Sequence, residues 1–140
     1  MEDSQVLLSH IKSLSDVSSS MLTWALSILG GSLLVIVNSA YYRPPLKVRL
    51  LYLVFVPAWV FGFLSIYQSN LISRRLAAAF LQGKGGEKQL DRLEKIAAKA
   101  NSELGNQILF FQIMLILLAV WLTIYIIWWV FTKQEFSKQP

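Results

Sequence analysis

The sequence predicts an all-α integral membrane protein: three transmembrane helices, an N-terminal amphipathic helix, and a soluble helical hairpin between the second and third spans. Three observations lead there. Residues 108–131 hold no charge, and only Gln112 and Thr123 interrupt the apolar run. Over the 140 residues, 55% are hydrophobic and 15% charged, a balance that suits one small membrane domain, 1–140. Between residues 87 and 104, apolar residues recur at three- and four-residue steps among charges, the pattern of a helix with one wet side.

The run 108–131 is the third span. At about 1.5 Å per residue it reaches roughly 36 Å, enough to cross a bilayer core with some tilt. Trp128, Trp129 and then Lys133 mark its end at a headgroup boundary. The N-terminus opens with Glu2 and Asp3 where a signal peptide carries cations. Wound as a helix, residues 5–18 put Val6, Leu7, Leu8, Ile11, Leu14 and Val17 on one broad side, with His10 among them. Gln5, Ser9, Lys12, Ser13 and Asp16 take the other. The expectation is an interfacial helix lying on the membrane; the alternative is a movable element that docks on the bundle or occludes it. The polar stretch Asp16-Val17-Ser18-Ser19-Ser20 is expected to bend between this helix and the first span.

Residues 21–42 form that first span, with Trp24 near one end and Tyr41 and Tyr42 at the other. Ser20, Thr23, Ser27, Gly31 and Asn38 fall within about a third of its circumference. Such a stripe serves close helix packing, or it lines a water-filled path; Gln112 on the third span is a candidate for the same role. Arg43, Lys47 and Arg49 surround two prolines in a tight connection. The second span, 50–67, holds Pro57 near its middle and is expected to kink there. Leu71, Ile72, Leu76 and Phe80 keep helical spacing, so this helix continues out of the membrane to about residue 82. Gly83, Gly85 and Gly86 then make a turn, without the spacing or Lys-Ser pair of a phosphate-binding loop.

The returning helix, 87–104, carries an apolar seam of Leu90, Leu93, Ala97, Ala100 and Leu104, expected to pack on Leu76, Ala77 and Phe80. Lys88, Arg92, Lys95 and Lys99 form a basic stripe beside Glu87, Asp91 and Glu94. Salt-bridged solvated side chains account for the stripe, as does an anion site formed when copies gather around an axis. The hairpin 68–106 and the N-terminus share one membrane side with eight Lys or Arg against five on the other. The positive-inside tendency therefore makes the hairpin side the expected cytoplasmic one.

Chemistry is mostly excluded. With no cysteine and one histidine, thiolate and imidazole metal centres are ruled out within one chain, and no cofactor is expected. No carboxylate lies in a span and no serine sits in a triad-like pattern, so the chain is not expected to be an enzyme. Two classes remain: a homo-oligomeric pore or ion channel gated by an anionic ligand at the hairpins, and a non-catalytic accessory or scaffold subunit of a larger membrane complex. A short chain with a few spans, a charged cytoplasmic segment and no enzyme motif resembles the small membrane effectors of bacterial nucleotide-signalled anti-phage defence. That resemblance is one of outline, and no residue motif carries it. It implies a nucleotide or oligonucleotide activator, membrane lipid as the other partner, and spans that permeabilise the inner membrane.

Overall fold

The computed structural model describes residues 2–39, 50–81 and 87–132, with side chains placed over 5–38, 50–81 and 90–131. The prolines' turn at 43–49, the glycine turn at 83–86, the end of the first span at 40–42 and the tail 133–140 lie outside the described residues. Helix α1 covers Glu2–Ser39, a 3-10 turn covers Tyr52–Val54, α2 covers Phe55–Leu81, and α3 covers Glu87–Thr132. At 38, 27 and 46 residues, these rods measure about 57, 40 and 69 Å. The stretches Gln5–Asn38, Tyr52–Leu81 and Leu90–Phe131 are each long and apolar enough to cross a membrane, which makes this an all-helical, multi-pass candidate by length and composition.

One expected interruption is absent and another is displaced, each for a local reason. The stretch 16–20 does not bend: α1 passes straight through it. Ser20 donates to the Asp16 carbonyl at 3.1 Å, and Ser18 is buried, so these hydroxyls are satisfied without leaving the helix. Pro57 stands in the first turn of α2, where the helix is disturbed just ahead of it. Tyr52–Val54 tightens into a 3-10 turn just ahead of it, with Leu51 and Phe55 both still right-handed helical. The hydrogen bond that Pro57 cannot make therefore falls where one helix type gives way to the other.

Because α1 is straight, its N-terminal part runs beside the hairpin instead of lying apart in the membrane interface. Ile11 packs with Ala79, Leu93 and Ala97, and Leu14 packs with Ile72, Ala100 and Leu104. The physical reason is coverage. A seam of alanines and leucines on α3 is too wide for one neighbour to bury, and α1 offers Leu7, Leu8, Ile11 and Leu14 as the missing third wall. The buried strip is narrower than the expected apolar side, since Val6, His10 and Val17 are exposed. The hairpin's register also differs from expectation. Ile72 and Ala79 fill the seam with Leu76, while Ala77 and Phe80 are exposed.

Deeper along the rods, a third cluster joins Ala25, Leu29, Ala58 and Met114. Small residues let the helices close here, and Gly62 is the tightest point. A Cβ on Gly62 would lie 2.9 Å from Met114 Sδ and 3.0 Å from Leu29 Cδ2. The bulky side chains of this half point outward instead, among them Trp24, Leu34, Phe63 and Ile116. Only 17%, 28% and 11% of the most apolar windows of the three stretches are buried in the chain, which leaves most of their apolar side chains exposed.

Substituting Gly62 measures that closeness. Gly62→Ala gains about 1 kcal/mol of helix propensity, and the two side chains it meets have flexible ends, so stability should stay within about 1 kcal/mol. Gly62→Val forces the helices apart and should lower stability by roughly 1–3 kcal/mol. Reversible unfolding in mixed micelles reads both, and equal stability for the valine variant would contradict the contact.

Candidate functional site

Between the two clusters around Ile11 and Leu14 and the third around Leu29 lies a layer of polar side chains sealed from solvent. Ser18, Ser65, Ser69 and Gln107 are all buried. Ser18 Oγ stands 2.6 Å from Gln107 Oε1 and 2.9 Å from Ser69 Oγ. A hydroxyl has one proton, so Ser18 donates to the amide oxygen and accepts from Ser69. Gln107 Nε2 donates to the Ser18 carbonyl at 3.1 Å, and Ser65 donates to the Gln107 carbonyl at 3.3 Å. Gln107 thus ties all three helices: its side-chain amide holds Ser18 of α1, and its main-chain carbonyl takes Ser65 of α2.

An ion pair stands just above this layer. Arg75 donates from Nε at 3.2 Å and from Nη2 at 3.1 Å, both to Glu103 Oε1. Its other carboxylate oxygen, Oε2, is buried without a partner, as is Gln68 Oε1. Glu103 is mostly covered, at 13% side-chain exposure, while Arg75 stays open at 38%. The arginine therefore keeps contact with water while its carboxylate partner is drawn into the α2–α3 seam.

The residues expected to line or pack a path lie elsewhere. Ser20, Thr23, Ser27, Gly31 and Asn38 are all exposed, on the side of α1 opposite Ile11, Ser18, Ala25 and Leu29. The structure brings them into one stripe, and among the described residues nothing of its own chain packs against it. Thr23 donates to the Ser19 carbonyl at 3.1 Å and Ser27 to the Thr23 carbonyl at 2.9 Å. Their protons are used within the helix, leaving oxygen lone pairs outward. Gly30 and Gly31 face open space. Gln112 is exposed on α3, apart from that stripe, and neither it nor Asn38 has a hydrogen bond among the described residues. Inward from the stripe, Trp59 Nε1 donates to Ser32 Oγ at 2.9 Å, a second polar tie between α1 and α2.

Of the basic stripe, Lys95 reaches Asp91 at 2.7 Å across an exposed face, a contact of little energy. Arg92 and Lys99 are exposed with no ion pair among the described residues. The Lys88 side chain lies outside the described residues. No group of three or more His, Cys, Asp or Glu gathers among the described residues in a way that would hold a metal.

The sealed layer was the feature hardest to see in sequence, yet one signal pointed to it. Gln107 stands three residues after Leu104 and seven after Ala100, so it continues the apolar seam of α3 with a polar side chain.

Removing its amide should be felt at all three helices. Gln107→Leu leaves Ser18 and Ser69 to satisfy themselves and should cost about 1–3 kcal/mol in micelle unfolding. Adding Ser18→Ala and Ser69→Ala removes the stranded groups and should restore part of that loss. Strict additivity of the three losses would show that the side chains act independently.

Compared with protein-family models, curated proteins and solved structures, the chain matches none, and the functional reading rests on its own residues.

Proposed function

We propose that this chain assembles with copies of itself into a membrane pore or ion channel of the inner membrane, opened by an anionic ligand on its extramembrane bundle. The observation that carries the reading is the outward stripe of α1. A polar face at membrane depth that the chain itself leaves uncovered suits contact with other copies and with a water path. Asn38 sharpens it, because an amide without a partner is costly in hydrocarbon.

Gating follows from continuity. The helix that carries the stripe also supplies Ile11 and Leu14 to the extramembrane core. A ligand that shifts this core displaces the stripe through one unbroken helix, with no jointed tail required. Arg92 and Lys99 are the open cations for such a ligand, joined by Lys95 when it lets go of Asp91. A nucleotide or oligonucleotide has the matching phosphates, and the defence effectors that the chain resembles in outline respond to such signals. To swing the assembly from closed to open, the ligand must favour the open form by about 5.5 kcal/mol.

The accessory or scaffold reading also has an observation in its favour. Val6, Phe80 and Leu81 are exposed at the end of the bundle far from the membrane, where an apolar surface fits a partner protein.

Flux from liposomes separates the two. The pore reading expects release of small ions when an oligonucleotide is added outside liposomes whose protein presents its hairpins outward, lost on reversing Arg92 and Lys99 to Glu. Each reversal should weaken apparent affinity at least about tenfold, while the assembly keeps its size. Leakage equal to that of empty liposomes, at verified incorporation and with a monomeric mass in nanodiscs, would overturn the pore and favour the accessory subunit.

A further inference from the structure

We propose that the outward stripe of α2 is a binding site for an anionic phospholipid. Arg74 and Asn70 hold its phosphate, and an acyl chain lies along Phe63, Val60 and Val56. This site rests on the membrane-spanning reading of α2 and is independent of the pore.

The stripe changes character once along its length. Val56, Val60, Phe63, Tyr67, Asn70 and Arg74 recur at three- and four-residue steps, within about 80° of one another around the helix. All six are exposed, opposite Ala58, Gly62, Ser65 and Ser69, which pack inside the chain. Val56, Val60 and Phe63 offer large apolar surface that suits an acyl chain. Tyr67 stands at the changeover, where rings with one polar end are enriched in membrane proteins. Beyond it come an amide and a guanidinium. The lengths fit a bilayer. From Tyr52, where the candidate span begins, Tyr67 lies about 23 Å along the rod and Arg74 about 33 Å. A hydrocarbon core is about 30 Å thick, so Arg74 falls just past its edge, at the depth of lipid phosphates.

Charge and direction select the ligand. Arg75 is turned into the α2–α3 seam and gives its charge to Glu103. Its neighbour Arg74 is exposed, and neither Arg74 nor Asn70 has an ion pair or hydrogen bond among the described residues. Helical side chains lean toward the N-terminus of their own helix. The N-terminus of α2 is its deep end, so Arg74 leans back over Asn70 toward the membrane. Helix α3 begins at its outer end, so Arg92 and Lys99 lean away into solution. A guanidinium offers a phosphate two parallel N–H donors, and the amide adds a third. Helix α2 holds no Asp or Glu, so the ammonium of a zwitterionic headgroup finds no partner on it. The stripe therefore favours a headgroup of net negative charge.

Lipid retained by the protein provides the test. Protein reconstituted in vesicles of equal phosphatidylglycerol and phosphatidylcholine is extracted in mild detergent, and its bound phospholipid is measured by native mass spectrometry. The expected result is phosphatidylglycerol about fivefold over phosphatidylcholine, the scale of one cation at an anionic surface. Arg74→Gln should remove the preference, Arg74→Lys should keep part of it, and Lys95→Gln, out on the hairpin, should leave it unchanged. No preference in the intact protein, or the same preference in Arg74→Gln, overturns the site. A loss with Lys95→Gln as large as with Arg74→Gln also overturns it, because net charge alone would then attract the lipid. Since the chain has no cysteine, Phe63→Cys reports separately on what covers the stripe. It should resist a water-soluble maleimide present on both sides of the vesicles, and its copies should not join by disulfide. A disulfide between copies puts protein on this face in place of lipid and overturns the site alone. Labelling as fast as that of Lys95→Cys in the same vesicles overturns the membrane-spanning reading of α2 with it.

Discussion

The amide of Gln107 is the constraint on which the rest of the architecture depends. It touches the side chain and the backbone of Ser18 at once, while the main-chain carbonyl of the same residue is taken by Ser65. A lone leucine at that place would let α1 and α3 slide in register, because apolar contacts are tolerant of small shifts. The directed bonds of an amide are not. With the height set there, the alanine-rich seams above it and the Leu29–Gly62–Met114 crossing below it follow along the same three rods. The sealed layer thus contributes specificity of register more than raw stability, the role best attested for single polar groups in helical cores.

Much of the helical outline could be read from the residues, because uncharged runs and three-four spacing are local signals. What could not be read was whether neighbouring signals belong to one helix or two. Asp16-Val17-Ser18-Ser19-Ser20 has the composition of a linker, and only the burial of Ser18 against Gln107 explains its straightness. Pro57 marks a disturbance correctly but not its place, since the extent of α2 decides whether a proline is central or terminal. Phe80 shared helical spacing with Leu76, and the seam nevertheless took Ala79. Periodicity gives the side of a helix to within a residue or so; packing chooses among the neighbours.

The candidate stripe illustrates the same limit from the other direction. Its members were placed together by angle alone, and they do share one face. Angle cannot say whether that face turns toward the chain's own core or away from it. The core of α1 proved to be the strip of Ile11, Ser18, Ala25 and Leu29, half a turn away. Serine was common to both sides, so composition did not distinguish them. Ser18 and Ser32 face inward to Gln107 and Trp59, whereas Ser20 and Ser27 bond back to their own helix.

The unbroken course of α1 has a mechanical consequence. Pinned at Ser18 by Gln107, the helix is a lever with unequal arms: about 20 Å from Ser18 out to Gln5 and about 30 Å from Ser18 down to Asn38. A sideways movement of its outer end is therefore multiplied roughly one and a half times at Asn38. Tilting the rod by about 5° moves Asn38 between 2 and 3 Å, roughly the width of a water molecule, while Ser18 itself stays in place.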